Sequence, residues 1–378
     1  MNSRTEALVD LDAIRDNLVV LRELAGAAQV MAVVKADGYG HGLIASARAA
    51  VEGGAAWLGV AFLEEALALR QAGLDQPVLA WLTTPGEDLT PAVAAQVDLG
   101  ISSTGALARA RQAAQGAGVT ARLHLKIDTG LARAGATPAD WPALCDAAAK
   151  AEVDGAVRVA GLWSHFAHAD GGPDHPVNLD QAGVFAEALE VAARAGLRPD
   201  VRHLANSAAT LTAPATHYDL VRPGLAVYGL SPVPQLGGPA EFGLRPAMSL
   251  RSTVALVKRV PAGTGVSYQH RYVTAAASSL ALVPLGYADG VPRAGTNSLE
   301  VLLRGVRRRI AGTVCMDQFV LDVGDDAVEE GDEVLLFGPG DDGEPTAQEW
   351  AEVLGTIDYE IVTRIGARVP RAYTGGHR

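Results

Sequence analysis

Side chains able to do chemistry follow five of the eight apolar runs in the first part of the chain, at the point where each run ends. A lysine directly after such a run is partly desolvated, which lowers its pKa and prepares its amine to form an imine with an aldehyde. Lys35 has this position; the alternative is a strand-edge lysine that extends its ammonium into solvent. The other groups at run ends are Asp128 with Arg133, His165, Asn206 with Ser207, and Arg222.

A phosphate-bearing aldehyde cofactor matches this set of side chains. Asn206 and Ser207 open a short predicted helix, whose hydroxyl and backbone N–H groups can bind an anion. The alternative is that Ser207 only caps the helix. The glycines of segment 39–42, YGHG, allow backbone to approach a ligand closely. Such a cofactor needs an amine, donors for its phosphate and a partner for its ring nitrogen.

The elements that must position these groups alternate between short β-branched runs and Ala-rich segments of helical period. This alternation is typical of strand–helix units around a parallel sheet, and eight such runs favour a closed (β/α)8 barrel over an open sheet. The α/β fold predicted for residues 10–240 is therefore a barrel with its active site at the C-terminal strand ends. The predicted strands are Gln29–Val34, Trp57–Ala61, Pro77–Trp81, Val97–Ile101, Ala121–Ile127, Val157–Ser164, Val201–Leu204 and Tyr218–Val221, after an opening helix over Asp12–Leu24.

A boundary follows at Ser231–Pro246, which holds four prolines and three glycines. Beyond it, runs rich in Val and Leu between Gly, Pro and Asp turns predict a mainly antiparallel β domain over residues 241–378. Arg304–Arg309 is interpreted as part of a hairpin, Ala347–Leu354 as a helix and Thr356–Thr363 as a strand. The other predicted strands are Leu250–Val257, Leu280–Leu285, Leu299–Leu303, Arg309–Val314, Phe319–Val323 and Glu333–Phe337.

Composition excludes several classes of protein. A net charge of −12 disfavours a nucleic-acid partner, since that affinity comes mainly from Lys and Arg on phosphates. No apolar run is long enough for a membrane span, and acidic residues interrupt the N-terminal segment where a signal peptide needs an apolar stretch. With only Cys145 and Cys315, no disulfide framework is predicted. We therefore expect a cytoplasmic protein without a membrane or nucleic-acid partner.

Over nearly its whole length the chain resembles the alanine racemases, pyridoxal-phosphate enzymes with a barrel and a C-terminal β domain. The resemblance implies that Lys35 carries pyridoxal 5'-phosphate and that Lys35 and Tyr268 are the two catalytic bases that interconvert L- and D-alanine, the latter for peptidoglycan. The motifs that carry it are AVVKADGYGHG at 32–42, Lys126 to Arg133, NSAA at 206–209, VRPG at 221–224, VSY at 266–268, GYADG at 286–290, GTVCMD at 312–317, and Tyr359.

The resemblance also implies roles for residues around the cofactor and substrate. Arg133 would bind the cofactor's phenolic oxygen and, with Met316, the substrate. Arg222 would face the pyridine nitrogen, and His165 would link Arg222 to Tyr268. The phosphate would be surrounded by Tyr39, Ser207, Gly224, Leu225 and Tyr359, with Asn206 close by. Residues similar to the family's access corridor are Asp170, Tyr287, Arg293 and Ile357.

The implied roles agree with the chemistry of the residue types. Racemisation removes a proton from one face of Cα and delivers one to the other, so two bases must flank the carbon. A tyrosine, with a reference pKa of about 10, needs nearby positive charge to act as a base, which Arg222 acting through His165 could supply. Lys126 matches a position that is carbamylated in some family members; the alternative is a buried lysine paired with an acid.

The resemblance further implies a homodimer in which the β domain of one subunit, with Tyr268 and Met316, completes the barrel site of the other. Glu6–Val9, within residues 1–9, would add a strand to the β domain. Three departures from the family pattern are Asp37-Gly38 where Asn-Ala is usual, Ala132 where glycine is common, and Asp358 where asparagine is frequent. None of them removes a catalytic group.

Three alternatives stay open at this point. Relatives with similar motifs racemise serine or basic amino acids. His165, His168, Asp170 and His175 offer enough ligands for a metal-dependent barrel hydrolase, although no metal site is predicted. A pyridoxal-phosphate carrier protein would have a similar barrel but no second domain.

Overall fold

The computed structural model describes residues 4–376, so residues 1–3 and 377–378, which belong to the predicted domain ranges, lie outside the described residues. Two compact units divide the chain. One contains Ile14–Gly38 and Leu43–Leu244. The other contains the residues up to Ala13, the segment Tyr39–Gly42 and the residues from Arg245 onward. The segment Tyr39–Gly42, which begins four residues after Lys35, thus belongs with the second unit.

The elements agree closely with the predicted alternation. The strands are β1 Thr5–Asp10, β2 Gln29–Val33, β3 Trp57–Val60, β4 Val78–Ala80, β5 Asp98–Ile101, β6 Ala121–Lys126, β7 Val157–Trp163, β8 Val201–His203, β9 Leu220–Val221, β10 Met248–Thr253, β11 Leu256–Val260, β12 Gly265–Val266, β13 Tyr272–Val273, β14 Ser278–Val283, β15 Glu300–Leu303, β16 Val306–Arg309, β17 Phe319–Gly324, β18 Glu333–Phe337 and β19 Arg371–Thr374. The helices are α1 Leu11–Ala25, α2 Lys35–Tyr39, α3 Leu43–Glu52, α4 Leu63–Gln71, α5 Thr90–Ala94, α6 Thr104–Ala117, α7 Trp141–Val153, α8 Pro176–Arg194, α9 Ser207–Thr212, α10 Ala347–Leu354 and α11 Asp358–Thr363.

The first unit is a closed parallel barrel, which confirms the predicted fold class. Strands β2 to β8 pair in sequence order, and β9 pairs in parallel with β2. Backbone bonds from Asp219 N to Arg202 O (3.1 Å) and from Arg222 N to Ala205 O (2.9 Å) close the ring between β9 and β8. The eight strands lie within the eight predicted runs, because each run combines β-branched or apolar residues with a turn at its end.

The second unit is built mainly from antiparallel strands, as predicted. A six-stranded sheet has the order β16-β15-β18-β10-β1-β19, and a three-stranded sheet has the order β11-β14-β17. Strand β1 pairs antiparallel with β10 and parallel with β19. Strands β15 and β16 form the expected hairpin, with Arg304 and Gly305 at positive φ in the turn. Among the described residues, no helix is both long and apolar enough to cross a bilayer.

Three predicted strands of this unit are wrong in detail. Thr356–Thr363 is the helix α11, because Asp358, Ile361 and Val362 are buried together at helical spacing and this packing overrides β propensity. Leu250–Val257 is divided between β10 and β11. Arg309–Val314 leaves the sheet after a single bridge at Ile310, since Gly312 takes a positive φ (86°) and turns the chain.

Candidate active site

Lys35 begins a left-handed turn at the C-terminal end of β2. Ala36, Asp37 and Gly38 have φ of 54°, 54° and 61° with ψ near the left-handed helical value, and Tyr39 has φ of 53°. Each such L-residue costs roughly 1–2 kcal/mol, so surrounding contacts must hold the turn. Glu65 of α4 supplies one of them: its carboxylate accepts bonds from Ala36 N (2.7 Å) and from Ala61 N (2.9 Å).

The left-handed turn also accounts for the sequence Asp37-Gly38. Aspartate tolerates this conformation better than most residues, and the Asp37 carboxylate accepts a bond from Leu43 N (2.8 Å) at the start of α3. A Cβ at position 38 would lie 2.8 Å from Ser46 Oγ, so glycine fits here without displacing that side chain. The departure from Asn-Ala is therefore compatible with the same local shape.

Lys35 lies in a field of positive charge. Burial lowers its pKa, repulsion by Arg133 lowers it further, and Glu65 opposes the change. Lys126, at the end of β6, has its pKa lowered to about 8 by burial and by the charges of Arg222 and Arg133. The barrel thus gathers two lysines and two arginines at one end of the strands. Such a cluster suits an anionic ligand and favours the neutral form of each amine.

Arg222 is buried and makes hydrogen bonds in several directions. Its Nη2 donates to Ser164 O (2.8 Å) and Leu204 O (3.1 Å) and lies 3.2 Å from Nδ1 of His165. Burial lowers the pKa of Arg222 to about 9, so the guanidinium is still charged at neutral pH. Burial and then Arg222 hold the pKa of His165 well below its usual value. His165 is therefore neutral, and its Nδ1 accepts from Arg222.

Lys126 has no acidic partner within residues 4–376. Its Nζ lies 4.3 Å from the centre of the Trp163 ring. The nearby Asp128 raises the pKa of Lys126 somewhat, but Asp128 Oδ1 is occupied by the N–H groups of Gly130, Leu131 and Ala132 at 2.9–3.1 Å. The alternative of a lysine in an ordinary ion pair therefore finds no support in the geometry.

Arg133 is exposed on a loop that Asp128 shapes. Accepting three backbone N–H groups in succession, the Asp128 carboxylate closes a tight turn, within which Ala132 has φ of 54°. Glycine adopts this φ more readily than alanine, which explains why a glycine would also suit position 132. The loop presents the Arg133 guanidinium close enough to lower the pKa of Lys35 and of Lys126.

Ser207 lies between helix α9 and the turn after β9. The helix is capped by Asn206, whose Oδ1 accepts from Ala209 N (3.1 Å), so the interpretation of Ser207 as the cap is wrong. Ser207 Oγ instead accepts from Gly224 N (2.8 Å) and Ala226 N (3.3 Å). These two N–H groups use both lone pairs of the Ser207 oxygen, so its O–H remains to donate to a ligand. In the described part of the chain the N–H of Leu225 has no partner, which leaves a second donor beside that hydroxyl.

Tyr39 and Tyr359 come together in the second unit. Their ring centres are 6.1 Å apart, and burial raises the pKa of the Tyr39 phenol. Arg371 holds the adjoining loop, because its Nε donates to Gly40 O (2.9 Å) and its Nη1 to Gly366 O (2.7 Å). A Cβ at Gly40 would lie 2.4 Å from Val362 O, so this close approach requires glycine.

Tyr268 and Met316 lie on neighbouring turns of the second unit. Thr313 Oγ1 donates to Tyr268 O (2.8 Å), and Tyr287 N and Ala288 N donate to the carbonyls of Cys315 and Met316. Their backbones are fixed while their side chains are exposed, to 70% for Tyr268 and 53% for Met316. Of the predicted corridor residues, Tyr287, Arg293 and Ile357 are also exposed in this unit.

Asp170 is exposed on a loop of the barrel unit near His168 and His175. Those two imidazoles stack with centres 4.8 Å apart, and His175 Nδ1 accepts from Val177 N at the start of α8. No cluster of three His, Cys, Asp or Glu side chains suited to a metal occurs among residues 4–376. The histidines that suggested a hydrolase therefore do not converge.

Sequence reasoning missed three buried polar residues inside the barrel: Asp98, His124 and His203. They join Arg222 in one series of hydrogen bonds. A signal was present in strand β6, where Arg122, His124 and Lys126 alternate with apolar residues and so share one face. Glu65 was also missed, because nothing in its helical position indicates that it binds the Lys35 turn.

Comparison with known proteins agrees with both units. Residues 9–232 match the model of the alanine racemase N-terminal domain, and residues 247–373 match that of the alanine racemase C-terminal domain. Alanine racemase of Frankia casuarinae is 66% identical over 370 residues, covering 98% of this chain and 96% of that protein. The chain belongs to the alanine racemase family.

A solved structure supports the family assignment over the whole length. The alanine racemase of D-cycloserine-producing Streptomyces lavendulae superposes with a TM-score of 0.98 at 54% identity, covering 100% of this chain and 98% of that one. The family consists of isomerases that typically depend on pyridoxal phosphate. The match of the C-terminal domain separates the chain from a carrier that has only a barrel.

Proposed function

We propose that the chain interconverts L- and D-alanine with pyridoxal phosphate bound at Lys35. The observation that carries the proposal is the group of cations around a desolvated lysine at the C-terminal end of the barrel. The donor set fits the cofactor: an amine with a lowered pKa, the outward O–H of Ser207 beside the unpartnered N–H of Leu225, and a buried arginine. A phosphate dianion and a substrate carboxylate would both be stabilised by this charge.

When bound, the cofactor supplies an electron sink that acidifies the Cα–H of the attached amino acid. Lys35 Nζ and Tyr268 Oη would then act as bases on opposite faces of Cα: when one of them removes the proton of one enantiomer, the other delivers a proton to the opposite face and so forms the other enantiomer. The lowered pKa of Lys35 favours the neutral amine that such a base requires. Arg133 and Met316 bind the substrate.

Arg222 determines which reactions the site favours. Arg222 has a pKa of about 9 and already faces four carbonyl or imidazole acceptors. At neutral pH it therefore donates hydrogen bonds but does not transfer a proton. A carboxylate at this position would hold a proton on a ring nitrogen and strengthen the electron sink. Arg222 therefore favours racemisation over side reactions such as transamination.

We also propose that Lys126 is carbamylated. A neutral amine is needed to add CO2, and the lowered pKa of about 8 provides it at mildly alkaline pH. The resulting anion would be stabilised by Arg222 and Arg133, which at present repel the ammonium. Incubation with 13C-labelled bicarbonate should give one carbamate 13C signal that is lost in Lys126→Gln; a signal that survives in this variant would contradict the assignment.

We further propose a homodimer in which Tyr268 and Met316 serve the barrel site of the partner subunit. Support comes from the exposure of two substrate-facing side chains, at 70% and 53%, in a domain whose backbone is well bonded. Co-expression of Lys35→Ala with Tyr268→Phe tests this arrangement. If the site is shared between subunits, a hybrid dimer of the two variants contains one site with both Lys35 and Tyr268, and activity is restored. If each site lies within one subunit, no hybrid dimer has both bases, and activity stays absent.

Racemisation in D2O tests the proposed function. L-alanine should yield D-alanine with deuterium at Cα, and D-alanine should yield labelled L-alanine until the two are equal. Serine and lysine, assayed in parallel, test the alternative substrate classes. If serine or lysine is turned over much faster than alanine, the assignment of alanine as substrate is wrong. If no amino acid exchanges its Cα proton after addition of pyridoxal phosphate, the proposed function is wrong.

A further inference from the structure

Four buried groups form one continuous series of hydrogen bonds through the barrel, and we name them the barrel-interior network: Asp98, His124, His203 and Arg222. Asp98 Oδ2 lies 3.1 Å from His124 Nε2, and His124 Nδ1 lies 2.8 Å from His203 Nε2. His203 Nδ1 lies 3.0 Å from Arg222 Nη1. Asp98 is 1% exposed, the two histidines 0% and Arg222 5%, so water does not compete for these bonds.

The network exists because one residue between its members has no side chain. Strand β7 lies between β6 and β8, and Gly161 of β7 is the register partner of both His124 and Val201. A Cβ at Gly161 would lie 2.2 Å from His124 Nδ1, so any larger residue would separate the two imidazoles. Trp163 stacks on His203 with its ring 5.5 Å away at 10°, which fixes the plane of that imidazole.

The groups at the two ends of the network, Asp98 and Arg222, determine which nitrogen of each histidine carries a proton. Arg122 Nε donates to Asp98 Oδ1 at 2.9 Å, and Asp98 Oδ2 faces His124 Nε2 and accepts from it. His124 Nε2 must then carry the hydrogen, and His124 Nδ1 accepts from His203 Nε2. His203 in turn accepts at Nδ1 from Arg222. A second proton on either histidine, or the other tautomer, would set N–H against N–H.

We propose that Asp98 is a remote positioning residue for racemisation, which fixes the tautomers of His124 and His203 so that Arg222 always faces a hydrogen-bond acceptor. The inference rests on the proposed function of Arg222. Held by His203 on Nη1 and by Ser164 and Leu204 on Nη2, the guanidinium cannot rotate. Asp98 thus acts on the site through two imidazoles and touches neither substrate nor cofactor.

Asp98→Asn tests the inference because it reverses the network without changing its size. Arg122 can only donate, so the amide oxygen must face Arg122 and the amide NH2 must face His124. His124 would then protonate at Nδ1, His203 would follow, and an N–H would oppose Arg222. We expect kcat for alanine to fall about tenfold with a smaller change in KM. Asp200→Asn is the matched control, since Asp200 also pairs with Arg122 (3.7 Å) but lies outside the network.

The tautomers themselves are read by 15N NMR of histidine-labelled protein as purified, with His124→Gln and His203→Gln for assignment. Native protein should show both residues protonated at Nε2, and Asp98→Asn should show both protonated at Nδ1. A doubly protonated or Nδ1-protonated His124 or His203 in the native protein overturns the inference even if the variant fails to fold. An unchanged kcat after the tautomers switch also overturns it. Since the spectra need no turnover, inactivity of the native protein would contradict only the proposed function.

Discussion

The barrel unit and the β unit present their candidate bases in opposite ways. Lys35 is desolvated, begins a strained left-handed turn and has its pKa lowered by burial and neighbouring charge. Tyr268 is 70% exposed, and only the backbone of its turn is bonded to the rest of the unit. Burial within its own unit therefore lowers the pKa of Lys35. Tyr268 is exposed in its unit, so its reactivity depends on the groups that cover it in the working enzyme.

Because of this difference, substitutions in the two units are expected to have different consequences. In the barrel, a change at one polar residue spreads to Lys35, Lys126 and Arg222 through shared charge and hydrogen bonds. In the β unit, removal of one exposed hydroxyl leaves the fold unaffected and tests chemistry alone.

Lys35→Ala should have the largest effect. The amine proposed to bind the cofactor and one of the two proposed bases are both lost, so we expect alanine racemisation to fall by at least about 10³-fold. Lys150→Ala, which removes an exposed lysine of helix α7, is the matched control. Racemisation rates in both directions measure the effect. Equal losses in the two variants would show that Lys35 has no special role.

Tyr268→Phe should lower the rate by at least about 10²-fold, the usual scale for one general base. The loss should be greatest for Cα-proton abstraction from L-alanine, measured as Cα deuterium exchange of each enantiomer. The melting temperature should not change, because the side chain is exposed. Tyr373→Phe, at another exposed tyrosine of the same unit, is the control. Unchanged exchange in Tyr268→Phe would remove this residue from the mechanism.

Gly161→Ala should damage the barrel site from a distance. The added Cβ would meet His124 Nδ1 at 2.2 Å, so the imidazole must move and the network opens between His124 and His203. We expect a destabilisation of about 1–3 kcal/mol from overpacking, measured by urea unfolding, together with a reduced kcat. Gly183→Ala in α8, where an added Cβ meets nothing within 4 Å, is the control. If Gly161→Ala kept full activity and stability, the hydrogen bond between His124 and His203 would not be needed for either.

Asp358→Asn should have the smallest effect and depend on pH. Burial raises the pKa of Asp358 to about 7, so the native state keeps its proton while the unfolded chain loses it as the pH rises from about 4. The free energy of unfolding of the native sequence therefore falls over this range. The asparagine variant should match it near pH 4 and be more stable at pH 8, by on the order of 2 kcal/mol. Asp341→Asn, on an exposed loop, is the control, and a pH-independent difference would contradict the account.

Sequence reasoning found the barrel and most of the strand-end groups because both depend on local pattern. Parallel strands bring their C-terminal ends to one edge, so Lys35, His165, Ser207 and Arg222 could be grouped before their distances were known. The barrel-interior network was missed because it joins side chains from strands far apart in sequence and depends on a glycine between them. The helix α11 was misread for a related reason, since burial of Ile361 and Val362 is a tertiary effect.

Reductive trapping of the cofactor tests the central claim most directly. Lys35, Lys126, Lys150 and Lys258 are the lysines of the sequence, so the modified peptide can be identified without ambiguity. Holoenzyme treated with borohydride should carry pyridoxal phosphate on the peptide that contains Lys35, with loss of visible absorbance and of activity. Label on another lysine, or none after saturation with pyridoxal phosphate, would contradict the assignment of Lys35 and with it the proposed mechanism.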